Sequence, residues 1–308
     1  MAYISEFVNA LKDKPLSGLF VDGYFRPHKV LNTMVWGSKA IANAATGFSV
    51  TVVRDQKVEG SAKARAWGSN YEVKNANPKP ETYYLAAFGG AYQVDQTQDE
   101  LAGGILSENE ARSKMAHSVS EFARQFIKGT GTNNEFIGLN KMCEDNNLKH
   151  AEVFDIATAE WNADTAFKFN KWFRNVLKNL NVDANRIYCS RNMAANLLAL
   201  QDFIRSNVTP VTIESMELDR FLGIAICDIS EDLTEAVDGG IAENIFVAKV
   251  GTEDLYCAAP TTATAFIKTQ KPVNVGQPLA VGSVEFVTCP VLKNLGALVK
   301  AQVITDAE

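Results

Sequence analysis

The sequence predicts an α+β fold. Strand-patterned segments occupy the first and last thirds of the chain, a long capped helix follows the first set, and a helical block with one short apolar strand lies between. In that order the outer thirds can share one sheet. A chain of 308 residues has room for one large domain or two small ones, at about 100–200 residues each.

Composition narrows the function class. Hydrophobic residues make up 46% and charged residues 21%, which excludes wholesale disorder. The longest charge-free run near a strand pattern, residues 84–94, falls far short of the ~18 apolar residues of a spanning helix. The first residues show no basic segment followed by an apolar one, so neither membrane contact nor a secretion signal is expected. Net charge is −6, whereas a chain that grips nucleic acid along its surface carries a basic surplus. The imbalance is local, because residues 213–260 hold eleven acids against Arg220 and Lys249. Cys143, Cys189, Cys227, Cys257 and Cys289 are widely separated and form no CxxC pair. They read as buried free thiols in a reducing cytosol.

Residues 1–46 are poorly periodic. Pro15, Gly18, Gly23 and Pro27 interrupt them, and only residues 4–11 predict a short helix, with Phe7, Val8 and Leu11 on one face. The remainder reads as an extended arm. Such an arm cannot bury Phe20, Tyr24 and Phe25 within itself, so it must lie on something else.

Residues 48–95 predict a β ribbon. Phe48, Val50 and Val52 alternate with polar residues, a polar turn follows at 54–60, and Ala62, Ala64 and Ala66 alternate with Lys63, Arg65 and Trp67. After breakers at 68–70 and 75–80, residues 82–94 read as a long return strand with a bulge at Gly89 and Gly90. Half of this excursion, fully extended, spans ~50 Å, against a gyration radius of ~19 Å for a compact chain of this length. A two-stranded ribbon alone is marginally stable in water. It either folds back on its own body or is covered by neighbouring chains.

A helix is predicted over 107–128. Ser107 and Glu110 fit a capping box, Ala111, Met115, Val119, Phe122 and Phe126 form one apolar stripe, and Gly129 supplies the stop. Its length is ~32 Å. His117 lies off the stripe and reads as solvated. The Gly-rich segment 127–139 lacks GxxxxGK[ST] and follows a helix, so it is a structural turn. Helices over 165–180, with Phe167, Trp172, Phe173, Val176 and Leu180, and over 190–205, opened by a Ser190 cap, flank a short buried strand at 186–189. Strands are expected at 224–226, 244–250, 255–257, 263–269, 284–287 and 298–304.

Little points to chemistry. His28, His117 and His150 lie in no HExxH, GxSxG or HxE context. The acid-rich run 228–240 lacks the spacing of an EF-hand loop and reads as a solvated loop. No catalytic, cofactor-binding or metal-binding residues are assigned. Trp161 and Trp172 are packing residues, while Trp67 on the ribbon is placed to anchor an intermolecular contact. Protruding elements without catalytic motifs point to self-assembly.

The order of parts resembles the major capsid proteins of tailed phages, the Hong Kong 97 fold. Three stretches carry the likeness. The ribbon with Ala66 and Trp67 and its return strand at 82–95 resembles that family's E-loop. The spine-like helix ending in the junction 126–139 resembles its helix–Gly–(Asp/Thr)–Gly…Gly-Leu motif, and residues 182–193 resemble the strand–helix turn of its A-domain. The resemblance implies an N-arm at 1–46, an E-loop at 47–84, a P-domain at 85–150 and 261–308, and an A-domain at 151–260. It further implies a homo-oligomer of pentamers and hexamers in an icosahedral shell that encloses double-stranded DNA without reading its sequence. The virion is then the protein's location, and the bacterial host cytoplasm its place of assembly. A portal and a decoration protein are implied partners.

Some relatives carry a scaffolding segment before the arm. This sequence starts with Met1 at the presumed arm, so a separate scaffolding protein is expected. Candidate inter-subunit contacts are Phe20, Tyr24, Phe25, Trp36, Trp67, Lys57 and Lys63. Some relatives crosslink an E-loop lysine to a neighbour's asparagine, but nothing here identifies that reaction and none is predicted. Two rivals remain open: an encapsulin, which resembles the same fold with a helix in place of the arm and holds an enzyme cargo, and a cytosolic enzyme using His150 with Asp155 or Glu160.

Overall fold

The computed structural model describes residues 20–37, 49–54, 64–65, 67–70, 79–156, 162–204, 210–213, 216–238, 240–259, 267–274 and 278–306. The helix expected over 4–11, and Lys57, Lys63, Glu160 and Trp161, lie outside them.

A π-helical turn (Val21–Phe25) and α1 (Lys29–Thr33) lead into β1 (Trp36–Gly37). Strands β2 (Ser49–Arg54) and β3 (Lys79–Tyr84) form the base of the ribbon, and β4 (Ala86–Asp95) runs into α2 (Gln96–Leu101) and α3 (Ile105–Lys128). Next come α4 (Leu139–Asp145), β5 (Phe154–Asp155), α5 (Ala163–Leu177), β6 (Arg186–Ser190) and α6 (Arg191–Ile204). Short strands β7 (Val211–Ile213), β8 (Met216–Leu218) and β9 (Arg220–Phe221) precede β10 (Ile224–Ile229), β11 (Thr234–Val237), β12 (Gly240–Ala248) and β13 (Leu255–Ala258). The last strands are β14 (Ile267–Asn274), β15 (Leu279–Leu292) and β16 (Leu298–Asp306).

One sheet runs β1-β13-β15-β14, with β4 also paired to β15. The first and last thirds of the chain therefore do share a sheet. The pairing of β4 with β15 continues from Asp95 opposite Leu279 to Ala86 opposite Thr288 without a shift of register. The bulge expected at Gly89 and Gly90 is absent. Close approach is the reason for these glycines: a β-carbon at Gly89 would run into the Val284 carbonyl oxygen, and one at Gly90 would lie 3.1 Å from the Lys114 side chain. Gly89→Ala is expected to lower unfolding free energy by about 1–3 kcal/mol through overpacking, read by urea titration. A loss under ~0.5 kcal/mol would show that the strands part without strain.

The second sheet runs β5-β16-β12-β6-β10-β9, with β11 paired to β12. β16 leaves the C-terminal strands and bonds along β12 from Ala248 opposite Leu298 to Ile241 opposite Asp306. Conversely, β13, expected in the A-domain, pairs with β15 in the first sheet. The acid-rich run is not a loop throughout, because β11 forms a hairpin ladder with β12.

Helix α3 lies under the first sheet. Its buried residues include the whole predicted stripe: Ala111, Met115, Val119, Phe122 and Phe126. Phe88 on β4 stacks on Phe286 of β15 at 5.1 Å and meets Phe122 at 5.7 Å, edge to face. The capping box does not form, since α3 begins two residues early, after Gly104 in the left-handed region. Ser107 sits inside the first turn, its N–H donates to Asp99 Oδ1 at 2.9 Å, and its hydroxyl donates to the Gly104 carbonyl. Asp99 thus stands in for the expected cap.

Helices α5 and α6 cover one face of the second sheet with Phe169, Trp172, Phe173, Met193, Leu197 and Leu200. Ser190 caps α6 as expected, accepting the Met193 N–H at 3.1 Å. Phe167 is 67% exposed, and Phe169 takes its place in the core because α5 starts at Ala163 behind an Asn162 cap. All five cysteines are free and buried, as expected.

The largest correction concerns the arm. Phe20, Phe25 and Trp36 are each at most 1% exposed within their own copy. Phe25 packs on Phe286 at 5.0 Å, Trp36 donates its Nε1–H to the Leu31 carbonyl, and β1 pairs with β13. The π-helical turn and α1 fold this segment onto the sheet instead of letting it extend. His28 caps α1, its Nδ1 accepting the Leu31 N–H. Burial pushes its pKa down to about 4. With the folded value below the unfolded one, the neutral ring's contribution is full above pH ~6.5 and is lost as pH falls toward 4. The drop in unfolding free energy between pH 7 and 4.5 should shrink in His28→Asn, which keeps a cap, by on the order of 2 kcal/mol. Equal drops in both proteins would exclude this role.

Candidate assembly surfaces

The ribbon stands on a polar anchor. β2 and β3 pair from Ser49 opposite Tyr84 to Arg54 opposite Lys79, so residues 55–78 form the connection beyond the ladder. On the inner face, Val50, Val52 and Tyr83 are buried. Arg54 donates to the Tyr83 hydroxyl and to the Leu292 carbonyl, both at 2.5 Å, and pairs with Glu81. Burial, opposed by the Arg54 charge and reinforced by Glu81, holds the Tyr83 phenol well above its ordinary range. The base is therefore fixed to β15, and its other face looks outward.

That outward face mixes exposed apolar groups with the hydroxyls of Thr51 and Thr82, which lie 3.1 Å apart. Val53 is 59% and Tyr84 64% exposed, and beyond them Trp67 is 100% exposed. Sequence reasoning singled out Trp67 and missed Val53 and Tyr84, although the period-two pattern of both strands places them opposite the buried set. A second exposed group, at the corner joining α2 to α3, was also missed: Leu101, Ile105 and Leu106. Its turn is set by Gly103 and Gly104, both at positive φ.

Among the described candidate contacts, Trp67 alone is fully exposed. Tyr24 is half-buried beside Phe20, with ring centres 6.4 Å apart. Phe20, Phe25 and Trp36 leave no surface for a neighbouring copy.

Of the residues weighed for catalysis, His150 and Asp155 are described and Glu160 lies outside the described residues. His150 Nδ1 lies 2.8 Å from Asn179 Nδ2, and its Nε2 is 3.9 Å from Glu152. Asp155 is exposed, in register with Ile304. Ser190 donates its hydroxyl to the Glu243 carboxylate while accepting the Met193 N–H, a capping arrangement. The groove beside it, 560 Å³ in volume, contains no histidine among its described lining residues. Burial raises the Cys143, Cys189, Cys227, Cys257 and Cys289 thiols, so no thiolate nucleophile is provided. Among the described residues, no three His, Cys, Asp or Glu side chains come together to hold a metal ion. Among the described residues, no helix is long and apolar enough to cross a membrane.

No family model matches the sequence, and no curated protein does. Solved structures do match, across nearly the full length of both chains. The holo-SrpI encapsulin complex of Synechococcus elongatus superimposes with a TM-score of 0.60 at 10% identity, covering 92% of this chain and 89% of that one. The capsid of an empty GTA particle gives 0.57 at 12% identity, covering 88% of each chain. Mycobacterium phage Bobi gives 0.57 at 12% identity, covering 91% of each. Among these matches are an encapsulin complex and the capsid of a GTA particle, and the likeness is one of fold. It is the Hong Kong 97 fold, a mixed α/β architecture with the long α3 packed under the first sheet.

Proposed function

We propose that this chain is the major capsid protein of a tailed bacteriophage. Copies arranged as pentamers and hexamers form an icosahedral shell around packaged double-stranded DNA, in the virion and after assembly in the host cytoplasm. One observation carries the reading: a chain whose fold is shared with capsid structures displays, among the described residues, a ribbon base fixed to β15 with Val53, Tyr84 and, beyond them, Trp67 exposed. Identical neighbours cover these groups, giving an obligate interface. The ribbon acts as the E-loop, α3 and the first sheet as the peripheral layer, and the second sheet with α5 and α6 as the axial lobe. Net charge of −6 limits adhesion to the enclosed DNA. A separate scaffolding protein, a portal and a decoration protein complete the proposed set of partners.

A second reading, the encapsulin, has its own support. Residues 21–25 and 29–33 are helical where an extended arm was expected, and an encapsulin is among the matching structures. Expression in bacteria, sedimentation and negative-stain imaging test both. Uniform shells with nucleic acid or an empty interior that fills in phage-infected cells support the capsid. Shells carrying a protein cargo select the encapsulin, and monomers or dimers under every assembly condition defeat both.

A further inference from the structure

The second sheet and its helices carry opposite charges on two separate surfaces. α5 buries Ala166, Phe169, Trp172, Phe173 and Val176. At ~100° per residue, the opposite side of that helix aligns Phe167, Lys168, Lys171, Arg174 and Lys178 in one stripe, and all five are exposed. Lys168 pairs with Asp164 at 2.7 Å. Arg174 and Lys178 donate only to the neutral side chains of Asn170 and Asn175. Among the described residues, Lys171 meets no carboxylate at ion-pair distance. Phe167, 67% exposed, stands among these cations without a cover.

The acid-rich run supplies the other surface, where β11 pairs with the first residues of β12. From Ile229 to Asn244 it contains no lysine, arginine or histidine. Its carboxylates are not equivalent. Glu235 is bound to Lys300, and Glu243 to Ser190. Asp232 accepts the Thr234 N–H at 2.9 Å and hydroxyl at 2.7 Å, and with the Lys128 charge these hold it below its ordinary range. Glu231 and Asp238 meet no cation at ion-pair distance among the described residues. Between them, exposed Ala236 stands opposite Ile241, which is 43% exposed, so the ladder puts both side chains on one face of the hairpin. Each surface is thus an apolar spot beside unpaired charge. Their lengths agree, at ~15 Å for the helix from Lys168 to Lys178 and ~14 Å for the strand from Thr234 to Asp238. Among the described residues, no ion pair joins the two surfaces within one copy.

We propose that the β11–β12 hairpin of one copy docks on the outer face of α5 of the next. Ala236 and Ile241 lie against Phe167, and Glu231 and Asp238 reach toward Lys171, Arg174 and Lys178. The contact is apolar at its centre and charged at its rim. Its polarity makes it head to tail: like patches of two copies repel, and opposite ones attract. Such a heterologous contact builds a ring when its rotation closes. This rests on the shell reading and deepens it, since it names a contact that closes the proposed pentamers and hexamers. It also gives a role to the acid-rich run and to Phe167, which the packing of the single subunit does not use.

Carbodiimide links a lysine amine to a carboxylate in direct contact with it, and so reads the interface in the wild-type chain. Particles assembled from a mixture of isotope-labelled and unlabelled subunits are treated and digested. Mass spectrometry should find peptides joining Lys168, Lys171 or Lys178 to Glu231, Asp232 or Asp238 with one labelled and one unlabelled half, and none from dissociated subunits. Charge reversal then tests the energetics. Lys171→Glu with Arg174→Glu, or Glu231→Lys with Asp238→Lys, should raise the assembly threshold at least about tenfold at an unchanged urea midpoint. All four together should return it to within about threefold of wild type. Particles that form without any mixed peptide overturn the contact while the shell reading stands. An α5 reversal that keeps the threshold and only lowers the nucleic acid held overturns it too, because the stripe then faces the enclosed polymer. Two reversals that each block assembly without mutual rescue overturn the pairing of these charges. If no particle forms under any condition, the shell reading fails and this inference falls with it.

Discussion

Trp67→Ala should yield a folded subunit that no longer forms shells. The indole is 100% exposed, so its removal deletes no contact within the copy, and subunit stability should move by less than about 0.5 kcal/mol. On the proposed shell reading the same ring enters the interface core, where truncating a buried Trp typically costs about 2–4 kcal/mol. At about tenfold per 1.4 kcal/mol, each contact weakens roughly 30-fold or more, and every subunit in a shell repeats the loss. Light scattering against protein concentration should show the assembly threshold displaced upward at least 30-fold, with an unchanged urea midpoint. Shells at the wild-type threshold would remove Trp67 from the interface. Trp36→Ala provides the contrast. That ring is 1% exposed, so its loss should destabilise the subunit itself by about 3–5 kcal/mol.

The two tryptophans also show what the sequence could and could not convey. Helix α3 was legible because a stripe at spacings of three and four fixes both the element and its buried face. The base of the ribbon, β2 and β3, was legible from period two, and the same alternation contained Val53 and Tyr84, had its outward phase been read as well as its inward one. Phe20, Phe25 and Trp36 were misread because their burial depends on distant partners. β1 is two residues long and is held by Cys257 and Ala258 on β13. Nothing local announces such a pairing, and proline and glycine breaks favoured an arm. The Ser107 cap failed for a related reason: Gly103 and Gly104 both adopt positive φ, which lets the helix start earlier and hands the capping role to Asp99. β16 was recognised as a strand but assigned to the wrong sheet, since alternation sets a strand's faces and not its neighbour.

A polar seam on the second sheet yields the other large effect. Lys300 on β16 has a side chain only 3% exposed, and its Nζ donates to Glu235 and to Asn140, both at 2.6 Å. Gln302 and Asn244 donate to the same Glu235 oxygen at 3.1 and 3.2 Å. The seam thus joins β11, β12 and β16 to α4, tying the second sheet to the segment that follows α3. Its two charges are not equivalent. Glu235 remains 42% exposed and can rehydrate if its partner goes, whereas Lys300 cannot. Glu235→Ala should therefore cost about 3 kcal/mol, the lower end of the range for stranding a buried charge, while Lys300→Met, which removes the cation and keeps the volume, should cost less than half of that. Burial raises the Glu235 pKa, but the Lys300 hydrogen bond and charge, with help from Asn244 and Lys149, outweigh it and hold the carboxyl below its ordinary value. A depressed folded value means the contribution is present above the unfolded pKa and disappears as pH falls through the folded one. Wild type minus Glu235→Gln should accordingly be constant above pH ~5.5 and shrink below pH ~4.5, as measured by urea unfolding across that range. A difference that grows on acidification, or a Lys300→Met loss as large as that of Glu235→Ala, would mean the cation is not the stranded partner and that the seam is held by its amides.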